Sequence, residues 1–221
     1  MNLTKRLRVA PGTRVRLDEV DPADTAGLSS KEDALPLFME QQRRIGELEY
    51  RLYAENKRSL LIILQAMDAG GKDGTIRHVM GGLNPQSCRV TAFKAPTAEE
   101  LRRDFLWRIH AAVPGRGEIG IFNRSHYEDV LIARVRGLVP KSVWKARYAQ
   151  INAFERLLAE NGTCILKFFL HISKREQLKR LTARLKDPAR QWKVTADDFG
   201  ERRRWRAVSY THLTLPTIYS V

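Results

Sequence analysis

The residues with the clearest chemical potential form the stretch AMDAGGKDG, Ala66–Gly74, which is similar to a phosphate-binding loop. The usual pattern is G-x-x-x-x-G-K-[ST], in which backbone amides and the lysine hold phosphates and the hydroxyl binds Mg²⁺. Here Ala66 replaces the first glycine and Asp73 replaces the hydroxyl residue, so only the Gly-Lys pair fits outright. The predicted phosphate-binding residues of this loop are Ala69, Gly70, Gly71, Lys72 and Gly74.

Two carboxylates, Asp68 and Asp73, lie inside this predicted phosphate cradle. They would repel phosphate unless metal ions neutralise them, and oxygen ligands suit Mg²⁺. The loop therefore predicts a Mg²⁺ site, with Lys72 as a mobile charge that follows a phosphoryl group. The alternative is an ordinary strand–turn–helix connection that contains GGK by chance.

Strands and helices are predicted to alternate around the loop. A long helix over about 31–57, with Ser30 and Asp33 at its start, precedes the continuous apolar strand SLLIILQAM. Further strands are predicted at RVTAFKAP, EIGIFNRS and TCILKFFLHIS, and helices from Thr75, from Thr97 to about Ala112, over roughly 127–160 and over about 174–206. This alternation predicts an α/β fold with a parallel sheet and right-handed crossovers.

Composition narrows the class of protein without choosing a function. The chain has 221 residues, 43% of them hydrophobic, and a net charge of +14. A field this positive attracts polyanions such as nucleic acid, acidic lipid, nucleotides or inorganic phosphate chains. No apolar run is long enough for a membrane span, and Cys88 and Cys164 lack metal-ligand spacing, so a cytoplasmic protein with reduced thiols is expected.

Four motifs in order carry a resemblance to a known family: MDAGGKDG, KAPTAEELRRDFLWRIH, GIFNRSHYEDVL and KDPARQWKVTADDF. Together they resemble the polyphosphate kinase 2 family over roughly residues 15–206, and NRSHYEDVL is similar to the branch that acts on both AMP and ADP. The family loop D-A-A-G-K-D-G accounts for both departures in Ala66–Gly74. The resemblance implies a thymidylate-kinase-like P-loop kinase fold, a three-layer α/β sandwich with a parallel sheet and a helical lid.

The segment FNRSHYED, residues 122–129, ends the third predicted strand, where open α/β sheets bind ligands. Arg124 could clamp a phosphate with its planar guanidinium group. The resemblance gives this segment a Walker B role, which implies that Asn123 and Glu128 face nucleotide phosphates and that Asp129 joins Asp68 and Asp73 as a metal ligand. The alternative, acids placed by the helix dipole, explains the two acids but neither Asn123 nor Arg124.

Two basic segments are candidates for further phosphate contacts. Lys94 and the helix cap Thr97 follow the second predicted strand, although capping alone explains Thr97. Arg108 lies on the helix after them, where a solvated face is the default. Residues 179–206 hold ten basic residues against four acids and resemble a lid that closes over phosphates. The predicted lid contacts are Arg180, Arg184 and Lys193.

The resemblance implies transfer of a phosphoryl group between inorganic polyphosphate and AMP or ADP, forming ADP or ATP. Asp68, Lys72 and Arg124 are the predicted catalytic residues, and Mg²⁺, with Mn²⁺ as an alternative, is the predicted cofactor. A homo-oligomer, a dimer or a tetramer, is expected from the family, and neither a membrane nor a nucleic acid is expected as a partner. The alternatives are an ATP-dependent nucleoside monophosphate kinase and a non-enzymatic nucleic-acid binder.

Three regions are expected: a basic N-terminal arm over 1–30, a kinase domain over 31–206 with its lid over about 174–206, and a tail over 207–221. The tail, AVSYTHLTLPTIYSV, has no charged residue in a chain that is 29% charged, and it resembles a translated sequencing adapter. Native sequence is therefore expected to stop near Arg206, whereas family members continue with a further helix and a fifth strand. The alternative is a genuine divergent tail.

Overall fold

The computed structural model describes residues 3–10, 13, 15–205 and 207–209. Its helices are α1 (Leu3–Leu7), α2 (Lys31–Glu55), α3 (Lys72–Val79), α4 (Ala98–Leu101), α5 (Trp107–His110), α6 (Glu128–Val135), α7 (Lys141–Glu160), α8 (Lys174–Lys186) and α9 (Ala196–Arg203). Its strands are β1 (Ser59–Ala66), β2 (Cys88–Ala92), β3 (Ile119–Asn123) and β4 (Thr163–Leu170). Short 3₁₀ helices lie at Leu17–Glu19, within the expected N-terminal arm, and at Gln191–Lys193.

The four strands form one parallel sheet in the order β2-β3-β1-β4, which confirms the predicted α/β class. In the centre, β1 pairs Leu60 with Ile119 of β3 and Ser59 with Thr163 of β4. Parallel strands point their carboxyl ends to the same edge, which is where ligands bind in open α/β sheets. The loop after β1 therefore lies between the segments that follow β3 and β4.

The central strand β1 is apolar on both faces because helices cover both sides of the sheet. Leu61 and Ile63, each 0% exposed, pack into a core cluster with residues of α5, α6 and α7. Ile62 and Leu64 point to the opposite face and pack with Leu52 of α2 and apolar residues of and after α3. This double burial fixes the end of β1 and thereby the start of the loop.

The long helix α2 begins and ends with local hydrogen bonds. The Ser30 hydroxyl accepts the backbone N–H of Asp33 at 3.0 Å, so the predicted helix start is confirmed. At the other end Asn56 adopts a left-handed conformation and its N–H donates to the carbonyl of Leu52. Such left-handed residues close helices and redirect the chain, here toward β1.

The predicted helix from Thr97 to about Ala112 is two short helices, so its continuity was wrong. The capping box at Thr97 and Glu100 is confirmed, with both reciprocal hydrogen bonds present. Between α4 and α5 the Asp104 carboxylate accepts the N–H of Leu106 at 2.9 Å. Side chains that bond their own backbone compete with helix formation, and the helix is interrupted there.

The predicted helix over 127–160 is also divided, into α6 and α7. Gly137 between them has a φ of +65°, which ends a helix, and Pro140 precedes the first residue of α7. The helix after the loop starts at Lys72 rather than at the predicted Thr75. The loop lysine therefore belongs to the first turn of α3.

The chain after β4 forms α8, the second 3₁₀ helix and α9, largely as predicted for the charged segment. Within residues 207–209, Val208 is 4% exposed and packs against Met67 and Leu131. The remainder of the expected tail, residues 210–221, lies outside the described residues. None of the described helices combines the length and apolar composition that crossing a bilayer requires.

Candidate active site

The loop between β1 and α3 has the backbone of a phosphate cradle. Ala69 and Gly71 have φ values of +58° and +107°, so the chain reverses handedness before the first turn of α3. A Cβ on Gly70 would lie 2.5 Å from the Ala66 Cβ and 2.6 Å from the Met67 carbonyl oxygen. The N–H of Gly70 donates to the Met67 carbonyl at 2.8 Å, so the loop makes a tight turn directly before the N-terminus of α3. Helix N-termini bind anions through their free N–H groups.

Lys72 is buried at the start of α3, and its ammonium group donates to the carbonyl of Ala66 at 3.0 Å. Burial lowers the pKa of this lysine, and the positive charge of Arg124 acts in the same direction. The carboxylates of Asp68, Glu128 and Asp73 oppose that change. Lys72 is thus a desolvated cation, whose field on a bound phosphate would be screened less than that of a surface lysine.

Asp68 of the loop is ion-paired with Arg124, whose guanidinium group lies 3.0 Å from the carboxylate. Arg124 follows β3 and has a φ of +65°, an unfavourable conformation for a residue with a side chain. Strained backbone of this kind clusters at functional sites. The turn after β3 therefore places a cation beside the loop.

Asp73 joins three elements. Its carboxylate accepts hydrogen bonds from Asn123 at the end of β3 and from Lys193 of the predicted lid, both at 2.9 Å. The hydrogen bond from Lys193 lowers the pKa of Asp73 more than any other group does, and Asn123 contributes in the same direction. Two of the predicted phosphate-binding residues thus reach the loop carboxylate.

Glu128 and Asp129 are neighbours in α6 but point in different directions. Glu128 lines a cavity of about 30 Å³ together with Asp68 and Arg124, and burial raises its pKa. Asp129 instead lies 3.5 Å from the guanidinium group of Arg108. Successive helix residues are separated by about 100° around the axis, which explains this divergence.

The structure does not bring Asp129 together with Asp68 and Asp73. Among the described residues, no three His, Cys, Asp or Glu side chains gather closely enough to hold a metal ion by themselves. The two loop acids remain as potential cation ligands, each next to a cationic side chain that compensates its charge: Arg124 for Asp68 and Lys193 for Asp73.

The three predicted lid residues, and Lys94 from the segment after β2, differ in how they contact the loop. Arg180 of α8 donates to the carbonyl of Ala69 at 3.2 Å, and Lys193 reaches Asp73. Arg184, one turn further along α8, is only partly buried, and no hydrogen bond or ion pair of its side chain to the loop is found in the described part of the chain. Lys94 has an exposed side chain at the rim, and its carbonyl accepts from Arg108.

Sequence reasoning missed Gln177, which also holds the loop. It is 1% exposed, and its amide nitrogen donates to the Asp68 carbonyl at 3.0 Å. The sequence contained a signal for its burial, because Gln177 precedes the apolar Leu181 by four residues and therefore lies on the same, buried face of α8.

A second cavity, of about 140 Å³, lies beside the site. It is lined by the side chains of Arg108, Arg147, Phe105 and Asp129, among others. Arg108 is nearly buried, with 9% of its side chain exposed, so the default of a solvated helix face was wrong for this residue. The guanidinium group of Arg147 lies over the Phe105 ring, 4.8 Å from its centre. The cavity thus combines cations with an aromatic wall.

Three comparisons with known proteins agree. A family model described as polyphosphate kinase 2 matches residues 28–214. The chain is 53% identical over 202 residues to an AMP/ADP-polyphosphate phosphotransferase of Meiothermus ruber, covering 91% of this chain and 76% of that relative. It is 47% identical over 214 residues to an ADP-polyphosphate phosphotransferase of Rhodopseudomonas palustris, covering 91% and 74%. The crystal structure of polyphosphate kinase 2 from Arthrobacter aurescens TC1 superposes with a TM-score of 0.90 at 46% identity, covering 96% of this chain and 76% of that one.

Proposed function

The chain belongs to the polyphosphate kinase 2 family, and we propose that it transfers a phosphoryl group between inorganic polyphosphate and AMP or ADP in the presence of Mg²⁺. It has the P-loop kinase fold of its structural neighbours. One observation carries the proposal: the buried cation Lys72 stands among two loop carboxylates that are themselves paired with Arg124 and Lys193. A phosphate that enters this site could replace a carboxylate as the partner of Lys72, Arg124 or Lys193.

The residues fit Mg²⁺, which proteins bind through one or two carboxylates together with substrate phosphates and water. Asp68 and Asp73 would supply the carboxylates. When bound, Mg²⁺ would neutralise charge on the phosphate oxygens. The role of Asp129 as a metal ligand is not part of this proposal, because its carboxylate lies beside Arg108.

Lys72, the amides of Ala69 and Gly71 and the N-terminus of α3 hold the reacting phosphates. The predicted contribution of the Gly70 amide is not part of this proposal, because that N–H donates to the Met67 carbonyl at 2.8 Å. In the forward direction, a phosphate oxygen of the nucleotide forms a bond to the terminal phosphorus of polyphosphate. The bond from that phosphorus to the next bridging oxygen breaks, and polyphosphate becomes one unit shorter. Arg124 stabilises the charge that develops during transfer, since it projects beside Asp68 at the loop.

The lid and the second cavity complete the substrate sites. Polyphosphate is a uniform polyanion, so a protein can bind it through positive charge alone. The basic segment containing Arg180 and Lys193 suits this mode of binding. We propose that the nucleotide acceptor binds at the 140 Å³ cavity, whose lining combines Arg108, Arg147 and the aromatic ring of Phe105 with the acids Glu100, Asp104 and Asp129. Arg108 is paired with Glu100 and Asp129, and these pairs would have to open for it to contact a phosphate. A cytoplasmic location, expected from the free cysteines, and a homo-oligomeric state are further parts of this proposal.

One assay tests the proposed reaction. The protein is incubated with AMP or ADP and either polyphosphate or ATP, with Mg²⁺ or with EDTA, and the nucleotides are separated by chromatography. New ADP or ATP formed from polyphosphate, lost with EDTA and restored by Mg²⁺, is the expected result. Product formed with ATP as donor but not with polyphosphate would instead identify an ATP-dependent nucleoside monophosphate kinase. Salt-sensitive binding of DNA or RNA without turnover would identify a nucleic-acid binder.

A further inference from the structure

We infer that Glu155 of α7 is a positioning residue for phosphoryl transfer: its buried carboxylate holds the start of α6 so that Glu128 faces the phosphate-binding loop. This inference rests on the proposed function of that site. Glu155 is 0% exposed and touches neither the loop nor the cavities. It therefore acts through other side chains.

Three side chains from two other elements converge on Glu155. The hydroxyl of Tyr127 donates to Oε1, and Nε2 of His126 lies 3.2 Å from the same oxygen. The ammonium group of Lys167, on β4, donates to Oε2 at 2.5 Å. His126 and Tyr127 are themselves 0% and 2% exposed, and 12% of the Lys167 side chain is exposed, so the network is almost entirely shielded from solvent.

The network is charged in spite of its burial. Burial opposes ionisation of Glu155, but the hydrogen bond from His126 and the charge of Lys167 offset it, and the pKa of Glu155 is lowered. Burial raises the pKa of Tyr127 well above its ordinary value, and the Glu155 charge adds to that effect. Tyr127 thus stays a phenol that donates to an ionised carboxylate, which is a strong type of hydrogen bond.

Hydrogen bonds of Tyr127 and of its neighbour Ser125 define where α6 begins. The carbonyl of Tyr127 accepts the N–H groups of Val130 and Leu131, at 3.1 and 2.8 Å. The Ser125 hydroxyl accepts the N–H of Tyr127 and the side-chain amide of Gln65 on β1. The start of α6 is therefore tied to β1 through Ser125 and to α7 through Glu155.

Glu128 is the next residue after this double attachment, and it lines the small cavity with Asp68 and Arg124. A shift of Tyr127 would carry the Glu128 carboxylate with it, because Tyr127 caps α6 and directly precedes Glu128, the first residue of the helix. If Glu155 served only to fill space in the core, an apolar side chain of similar size would serve equally well at this position. The buried carboxylate with three donors instead specifies one orientation of the turn.

A double-mutant cycle tests the inference. Glu155→Gln keeps the size of the side chain and removes its charge, and Glu128→Gln removes the carboxylate through which Glu155 is inferred to act. We expect Glu155→Gln to lower kcat about 10- to 100-fold, the range typical of groups that orient catalytic residues, with little change in KM for polyphosphate. In the Glu128→Gln background the same change should have a much smaller effect, since coupled residues are not additive.

The matched control is Ile119→Ala, which opens the core cluster on the opposite face of the sheet, a cluster that contains no member of the network. It should lower the thermal stability while leaving kcat per folded molecule unchanged. Full wild-type kcat in folded Glu155→Gln, or an equal loss in both backgrounds, would overturn the inference. If Glu155→Gln does not fold, Glu155→Gln/Lys167→Met removes both buried charges, and the loss of kcat should persist in it.

A crystal structure of Glu155→Gln separates this inference from the proposed function. A displaced turn at residues 125–128 on an unchanged sheet would support the positioning role even if the wild type proved inactive with polyphosphate. A turn that superposes on the wild type would overturn the inference, whatever the substrate. Failure of the proposed function would instead appear as absence of polyphosphate-dependent product from the wild type.

Discussion

The ammonium group of Lys193 lies 2.9 Å from the carboxylate of Asp73, although 120 residues separate the two in the chain. This pair connects the basic C-terminal segment to the first turn of α3. Asn123 donates to the other oxygen of the same carboxylate, so the predicted lid, the loop and the end of β3 meet at one acid. The contact that attaches the basic segment to the loop therefore also compensates the charge of Asp73.

Lys193→Ala is expected to impair transfer without unfolding the protein. The pair is largely exposed, with 33% and 62% of the two side chains accessible, and such pairs stabilise proteins by only about 0–1 kcal/mol. The lid contact would nevertheless be lost, so KM for polyphosphate should rise and proteolysis of residues 187–195 should become faster. Lys179→Ala, at an 81% exposed lysine of α8, is the control and should change neither. Unchanged kinetics in Lys193→Ala would contradict the proposed role of Lys193 as a lid contact.

Lys72→Ala is expected to reduce transfer by about 100- to 1,000-fold, the loss typical when one preorganised charge-stabilising group is removed. The fold should survive, because burial already disfavours the charge of this lysine, as its lowered pKa indicates. Circular dichroism and thermal unfolding check the fold, and initial rates of ATP formation check the activity. Lys57→Ala removes the same charge from an exposed position and should leave the rate unchanged. Near-normal activity of Lys72→Ala would refute its catalytic assignment.

Gly71→Ala is expected to destabilise the loop by about 1–2 kcal/mol, the usual cost of a left-handed backbone for a residue with a Cβ. The φ of Gly71 is +107°, and its added Cβ would also lie 3.4 Å from Arg180. The rate of transfer should fall by more than the small loss of stability explains, because the backbone amides proposed to hold phosphate would move. Gly46→Ala in α2 has open space around it and should stabilise by about 0.5–1 kcal/mol with unchanged activity. Urea unfolding of both variants provides the comparison.

The stability difference between the wild type and Glu155→Gln is expected to depend on pH. The pKa of Glu155 is lowered in the folded protein, so the folded state binds fewer protons at this group than the unfolded state. The resulting stabilisation is fully present above the unfolded pKa of about 4.3 and is lost as pH falls through the folded pKa. Urea unfolding at several pH values should show a wide gap near pH 7 that narrows in acid. A gap that stays constant would contradict the lowered pKa.

The sequence pattern predicted the parts of the fold that local chemistry determines. The apolar run of β1 required burial on both faces, and the Ser30 cap and the Thr97–Glu100 capping box are local hydrogen bonds. The two divided helices were missed because a single side chain, Asp104, and a single glycine, Gly137, interrupt stretches that are otherwise helical in composition. Helical periodicity averages over several turns and does not detect such breaks.

The site was predicted least well where its contacts are long-range. Loop residues could be identified from their spacing, but which neighbours Glu128 and Asp129 each contact depends on the rotation of α6 against α5 and α7. The Glu155 network left two signals in the sequence. Glu155 lies between apolar residues on one helix face, and Lys167 interrupts the apolar strand TCILKFFL. Neither signal alone identifies the partner, because the turn at residues 125–127 lies far from both in sequence.

The strand order has a consequence for how the molecule assembles. In the sheet that the described residues form, β1 pairs only with β3 and β4, and Ser59 has to meet Thr163 across more than a hundred intervening residues. Loop closure over such distances slows folding, as it does in other sheets built from distant pairs. During synthesis on the ribosome the apolar β1 emerges long before its second neighbour, so chaperone capture of this nascent segment is expected to govern the yield of active protein.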